Sequence, residues 1–331
     1  MLKVALLGAG RIARVHAKHI DDNPDSVLFS VSGSSSGNAG ELAEKYHAKV
    51  LAVTQAINHP EVDIVLIATP NDTHADFALQ AARAGKAIFC EKPIDLNIER
   101  VRACVEEINQ LAVPFMIGFN RRFDPNHAAL HRALSAGEIG ELEHLQISSR
   151  DPSPPPQENY PDSGGIFRDM TIHDFDMARF LLQEEPIAVS AIAAALVNPK
   201  IKAAGDVDVV VVTLQTASGK IVVINNSRRS GYGYDQRIEA HGQLGCLQVN
   251  NVPATTLVKF TEDNAVQSQK PLYSVLDRYH AAFQQQWQAF VTAVKENKTL
   301  PITADDGLKA LMLAEAAIES LKTQKVVTVT L

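Results

Sequence analysis

The stretch Val4-Ala5-Leu6-Leu7-Gly8-Ala9-Gly10-Arg11-Ile12-Ala13 decides the fold. Its four apolar residues read as a short buried strand, Gly8 to Gly10 as a turn, and Arg11 to His19 as a helix. In that setting the small residues have separate duties. Gly8 permits the tight turn, Gly10 leaves room for a pyrophosphate against the backbone, and Ala13 lets the helix pack close to the strand. The helix amino terminus then faces the phosphates with unpaired N–H groups. Gly8, Gly10, Arg11 and Ile12 are therefore the first candidates for holding a dinucleotide. A bare strand-to-helix turn could carry the same string, so its reading depends on the elements that come after it in the chain.

From Val27 onward, strand and helix alternate. Val27–Ser32 reads as a second strand, then Ser34 to Gly40 is small and polar, and Glu41 to His47 turns helical. Val62–Ala68 is an uninterrupted buried-strand pattern, broken by Pro70, with Asn71 or Asp72 placed to cap the next helix. Ala87–Cys90 and Pro114–Gly118 are further strands, separated by a helix from about Asn97 to Leu111. Buried strands alternating with helices call for a parallel sheet covered on both faces.

Beyond about residue 122 the rhythm changes. A helix is predicted over Asn126–Ala136, a strand over Leu142–Arg150 and a long loop over Asp151–Gly165, which is rich in Pro, Ser, Asp and Gly. A helix from Phe175 to Leu182 and strands at Ala188–Val197, Val207–Leu214, Lys220–Asn225, Arg237–Ala240 and Cys246–Val249 come next. Helices are predicted at Tyr279–Lys295 and Ala304–Leu321, with a last strand at Val326–Val329. The expected fold is an α/β Rossmann domain over residues 1–122. An α+β domain with a large, mostly antiparallel open sheet takes residues 123–331, for substrate binding and oligomerisation. A chain of 331 residues is long enough to support two cores.

Ligands on such a parallel sheet lie beyond the carboxyl ends of its strands, and three polar clusters fall there. The first is Thr69, Pro70 and Asn71 with His74. The second is Glu91-Lys92, where an ammonium just past a buried strand can bind a substrate hydroxyl and stabilise a developing alkoxide. The third is Asn120-Arg121-Arg122, from which Arg122 is taken as a cofactor contact, a salt bridge to a nearby acid being the alternative. At the end of the second strand the chain reads Ser32-Gly33-Ser34-Ser35, without the acid that usually holds the adenine ribose of NAD. Ser34 is the candidate there. NAD is the expected cofactor, and NADP stays open.

In the second domain, Gly164 to Asp174 carries Asp169 and His173. If Asp169 opens a helix, the two lie at i and i+4 on one face. An imidazole can then take a hydroxyl proton as hydride leaves the same carbon, with the carboxylate orienting it. A helix cap and a core histidine are the plain alternatives. Tyr232 and Tyr234 are candidates for lining a polyol pocket, or for a sheet edge or subunit contact. No third ligand accompanies the pair, so no metal is expected.

Composition is that of an ordinary globular chain, with 46% hydrophobic and 21% charged residues. A net charge of -7 without a basic cluster points away from nucleic acid. Cys90, Cys104 and Cys246 form no CxxC pair, the first residues do not read as a signal peptide, and no apolar run is long enough for a membrane. A cytoplasmic enzyme is expected.

GAGRIA with His16, TPNDTH at residues 69–74, Glu91-Lys92-Pro93 and the Asp169–His173 pair together resemble the glucose–fructose oxidoreductase, inositol dehydrogenase and rhizopine-catabolism (Gfo/Idh/MocA) family, over essentially the whole chain. Within it, residues 164–181 and 225–242 are most similar to inositol 2-dehydrogenases. The resemblance implies hydride transfer from C2 of myo-inositol to NAD. It implies Lys92 as the residue that positions substrate and cofactor, His173 as acid–base with Asp169 as its partner, and a homodimer or homotetramer. An NADP-dependent oxidoreductase of another polyol or sugar and a non-catalytic nicotinamide sensor are the rival readings.

Overall fold

The computed structural model describes residues 1–33, 36–156, 163–263 and 266–331. Two compact units form: Met1–Asn120 with Ala282–Leu311, and Arg121–Ala281 with Met312–Leu331.

The first unit is built on β1 (Leu2–Leu7), α1 (Arg11–Asp22), β2 (Ser26–Ser32), α2 (Ser36–Lys45), β3 (Lys49–Val50), α3 (Val53–Ile57), β4 (Ile64–Ile67), α4 (His74–Arg83), β5 (Ala87–Cys90), α5 (Ile98–Leu111) and β6 (Phe115–Ile117). Its six strands are all parallel, in the order β3-β2-β1-β4-β5-β6. The order reverses between β1 and β4, which makes the carboxyl ends of those strands the binding edge of the sheet. Val4–Leu7, Ile64–Ile67 and Ile88–Cys90 are almost wholly buried, as strands covered on both faces must be. The expected α5 starts one residue after Asn97, whose side chain accepts the Glu99 and Arg100 amides. The small polar stretch before residue 41 corrects the predicted boundary of α2, which already begins at Ser36. Ala39, Leu42 and Ala43 bury one face of it at helical spacing, and that burial overrides weak local propensity.

The second unit contains α6 (Pro125–Ser135), β7 (Leu142–Arg150), α7 (Ile172–Leu182), β8 (Pro186–Ala194), α8 (Pro199–Ala203), β9 (Val209–Thr216), β10 (Ile221–Ser227), β11 (Asp235–Gly242), β12 (Gly245–Val249), the short β13 (Val258–Lys259) and β14 (Gln267–Ser268), and α9 (Val275–Arg278). After α10 (His280–Glu296) and α11 (Ala304–Thr323), β15 (Val327–Thr328) completes a seven-stranded sheet in the order β12-β11-β7-β10-β9-β8-β15. Every neighbouring pair with a described register is antiparallel except β7 with β10. One face buries Leu145, Ile147, Val189, Val212, Leu214 and Ile224. The other leaves Ile192 77% exposed directly opposite half-exposed Val211.

One local result in the second unit differs from the expected elements. The helix predicted from Phe175 begins ten residues earlier, at Gly165, and is interrupted by a π turn over Phe167–Thr171. Helix α10 packs chiefly into the first unit. Its Trp287 indole donates to Ser26 Oγ at 3.1 Å, and Phe290 meets the Phe89 ring at a centroid distance of 5.6 Å.

Candidate active site

The two glycines of the opening turn are required for different reasons. Gly8 has φ +113°, and a Cβ there would lie 2.3 Å from the Ala68 carbonyl oxygen. The fold itself demands glycine at this position. Among the described residues, a Cβ on Gly10 would meet no atom within 4 Å from outside its own stretch of chain. Among the described residues the space before α1 is open, no side chain caps that helix, and its first turn holds no acid. An uncapped, uncrowded helix amino terminus suits a pyrophosphate, so the residues present fit a dinucleotide. Arg11 is exposed and Ile12 part-buried in the first turn of the same helix.

The clusters after β4 and β5 are fastened together by one ring. His74 is buried, with Nδ1 2.7 Å from the Pro93 carbonyl and Nε2 2.8 Å from the Thr69 carbonyl. Thr69 and Thr73 hydroxyls are 2.7 Å apart, and Thr73 donates to the Pro70 carbonyl at 2.7 Å. A short 3-10 turn at Asn71–Thr73 precedes α4, and no side chain caps that helix, so neither Asn71 nor Asp72 fills the predicted capping role. Glu91 turns inward: its Oε1 lies 2.6 Å from His16 Nε2, which ties α1 to the end of β5. These contacts direct Glu91 and His74 to holding the loop in shape. Lys92, part-buried, is the residue they present.

In the second unit, Asp169 sits inside the π turn and does not open the helix, and His173 comes in the first turn of α7. A π turn shifts side-chain direction relative to simple i, i+4 spacing and recurs at functional sites. A buried polar network fastens this segment to the sheet. Thr171 donates to Asn226 Oδ1 at 2.7 Å, and Asn226 donates to Asp174 Oδ2 at 2.8 Å. Asp174 also accepts from Ser149 at 2.6 Å and from Arg121 at 2.5 Å. The Asp169 carboxylate is 36% exposed and lies 3.5 Å from the guanidinium of fully buried Arg228. Nearby Asp151, part-buried, has its carboxyl pushed up to about 6 by burial, and the Asp169 charge adds to the effect.

Arg122 makes an ion pair. Its guanidinium pairs with Asp176 on α7 at 3.0 and 2.5 Å and lies over the Phe180 ring, so the salt-bridge alternative is the one observed. Of the two tyrosines, Tyr234 is buried. Its hydroxyl accepts from Arg121 at 3.5 Å, and its ring meets Tyr279 edge-on. Burial pushes that phenol up. Tyr232 is 44% exposed and donates to Asp235 at 2.6 Å. Ser34 lies outside the described residues.

Residues 2–119 match the oxidoreductase family with an NAD-binding Rossmann fold, and residues 127–248 match the GFO/IDH/MocA C-terminal domain. The chain belongs to the GFO/IDH/MocA oxidoreductase family. Inositol 2-dehydrogenase of Rhizobium meliloti strain 1021 is 46% identical to it across 99% of each chain. A crystal structure of a myo-inositol dehydrogenase from Corynebacterium glutamicum superposes with a TM-score of 0.96 at 41% identity, covering 100% of this chain and 99% of the other. The scyllo-inositol dehydrogenase of Lactobacillus casei, crystallised with bound NAD(H) and scyllo-inositol, has a TM-score of 0.91 at 26% identity, with 99% of each chain covered.

For this member of the family, sequence reasoning reaches the glycine turn, the lysine after β5 and the Asp169–His173 segment. The GFO/IDH/MocA fold adds partners with no local signal. His16, and His74 already marked by its cluster, meet partners 75 and 19 positions away. Arg228 and Asp151 approach Asp169 from separate strands. His16 is visible only as part of the GAGRIA resemblance, and nothing in the local pattern marks Arg228.

Proposed function

We propose that this chain oxidises myo-inositol, or a close stereoisomer, at C2 to 2-keto-myo-inositol with NAD as acceptor. The observation that carries this reading is the 46% identity, over essentially the full length, to an inositol 2-dehydrogenase, in a chain that has Lys92, Asp169 and His173.

Gly8, Gly10, Arg11 and Ile12 would hold the pyrophosphate side of NAD, with Thr69, Pro70 and Asn71 along the same sheet edge. When bound, NAD supplies the hydride acceptor. The chain's own residues do the rest. Lys92 donates to the reacting oxygen and stabilises the charge that develops on it. His173 takes the hydroxyl proton as general base. Asp169 orients the imidazole or binds the adjacent ring hydroxyl. Tyr234 and Tyr232 remain proposed pocket residues, the first buried and the second at the surface. The same proposal includes residence in the cytoplasm, in keeping with three free thiols.

A second copy of the chain is proposed to cover the open face of the second sheet. Ile192 and Val211 form a cross-strand pair there, and Ile221 adds apolar surface on the neighbouring strand. Sedimentation should show a dimer or tetramer, and Ile192→Glu should lower the oligomeric state.

Initial rates on a panel of inositols, including myo- and scyllo-inositol, and of sugars, with NAD and NADP, test the chemistry. Oxidation of an inositol with preference for NAD is expected. No turnover of any inositol beside clear turnover of another polyol would overturn the substrate, and strong preference for NADP would overturn the cofactor.

A further inference from the structure

Arg228 has no assigned part in the chemistry, yet its charged side chain is fully buried, at 2% exposure. It comes directly after β10, and its main-chain N–H donates to the Asp208 carbonyl at 2.9 Å. Asp208 is itself immobilised, because its carboxylate accepts the amides of Leu196, Val197 and Asn198 at 2.6–2.9 Å. The guanidinium therefore projects from a rigid base. It reaches two carboxylates, Asp169 Oδ2 at 3.5 Å and Asp206 Oδ2 at 3.8 Å.

Asp206 connects Arg228 to the same helical segment a second time. Its Oδ1 accepts the Ile166 amide at 3.2 Å, at the start of the helical run that carries Asp169. Gly165, with φ +82°, makes room for it, since a Cβ there would come within 2.9 Å of that oxygen. One buried cation thus holds both the amino end of the segment and the carboxylate in its π turn. Burying a guanidinium is a poor way to gain stability alone, because an apolar side chain of similar size usually does as well. What it does supply is a fixed charge at a fixed place.

We propose that Arg228 is a positioning residue for the dehydrogenase reaction, holding the Asp169 carboxylate ionised and in the orientation its catalytic role requires. The proposal rests on the reading of Asp169 as His173's partner. Four further charged groups face this carboxylate's surroundings. Asp206 comes from the segment before β9, Asp151 from the end of β7, and Arg121 with its partner Asp174 acts on Asp151. Asp151 and Asp169 carry like charges in a part-buried place. Without Arg228, the pair would take up a proton more readily, because two close carboxylates resist ionising together.

The test is steady-state kinetics with myo-inositol and NAD from pH 5.5 to 9, together with thermal unfolding, for Arg228→Gln, Arg228→Lys and Asp169→Asn. Arg228→Gln should lower kcat about tenfold or more at pH 7, change KM less, and move the acid limb of kcat/KM upward by about one pH unit. Arg228→Lys should return the limb to its wild-type place with an intermediate kcat, since an ammonium keeps the charge but not the fork. If Arg228→Gln does not fold, Arg228→Met, which retains the buried stem, replaces it with the same expectation. Near-normal activity of Asp169→Asn would sink the reading of Asp169 itself. A severe loss in Asp169→Asn beside an unshifted pH profile in the neutral Arg228 variant would overturn the positioning role alone. So would an even loss at all pH values that lysine does not rescue.

Discussion

The His74 ring lies between two main-chain carbonyls, with Nδ1 2.7 Å from Pro93 and Nε2 2.8 Å from Thr69. One side chain thereby sets the spacing of the loops after β4 and β5, and so the position of Lys92. The ring is buried, and water cannot replace it without rearrangement. A neutral imidazole carries one N–H, so His74→Leu removes one hydrogen bond along with the packing of the ring and leaves a carbonyl to be satisfied, at a cost of about 1–3 kcal/mol. The expected result is a Tm lowered by several degrees, together with a fall in kcat greater than the change in inositol KM. Calorimetry and initial rates check it. An unchanged kcat in a folded variant would separate His74 from the positioning of Lys92.

The two glycines of the first turn should fail in opposite ways. Gly8→Ala forces a Cβ against the Ala68 carbonyl at a backbone angle that L-residues avoid, so the apo protein should unfold at a markedly lower temperature. Gly10→Ala adds a methyl to open space. Its apo Tm should stay within about a degree of wild type, while NAD affinity falls at least tenfold. Calorimetry without cofactor and a fluorescence titration with NAD distinguish the two.

Lys92→Ala and His173→Ala should each reduce kcat by roughly 10²–10⁴, the usual worth of a positioned proton donor or acceptor, with far-ultraviolet circular dichroism unchanged. Both side chains are only part-buried, and neither forms part of a strand interior. Near-normal turnover in either folded variant would remove that residue from the mechanism.

Asp151 yields a pH-dependent prediction of definite sign. Its carboxyl is pushed from 3.8 up to about 6, chiefly by burial, with Asp169 and Asp174 adding and Arg228 and Arg121 opposing. The native state therefore holds this proton more tightly than the unfolded chain does. The resulting destabilisation is absent below pH 3.8, grows as pH rises, and is complete above about 6. That interval corresponds to roughly 3 kcal/mol. Asp151→Asn should thus raise the Tm by several degrees at pH 8 and leave it unchanged at pH 4. A Tm gain of equal size at both pH values would show that charge is not the cause.

By itself, the sequence determined the elements whose signals are local. Val4–Leu7 with Gly8 and Gly10 specifies a strand, a turn and an open helix end, and Ile64–Ile67, within the apolar run from Val62 to Ala68 that Pro70 breaks, reads as a buried strand. The Lys92 position is equally legible, as the first cation past such a strand. The tertiary structure alone decided which distant groups meet. Arg122 could contact the cofactor or an acid, and only the fold places Asp176 of α7 beside it. The π turn that holds Asp169 is set by the buried bonds from Thr171 and Asp174 to other strands, and periodicity carries no trace of it. Gly8 is legible because its constraint lies in its own backbone. Arg228 is not, because its significance lies wholly in two carboxylates that the chain delivers from 59 and 22 residues away.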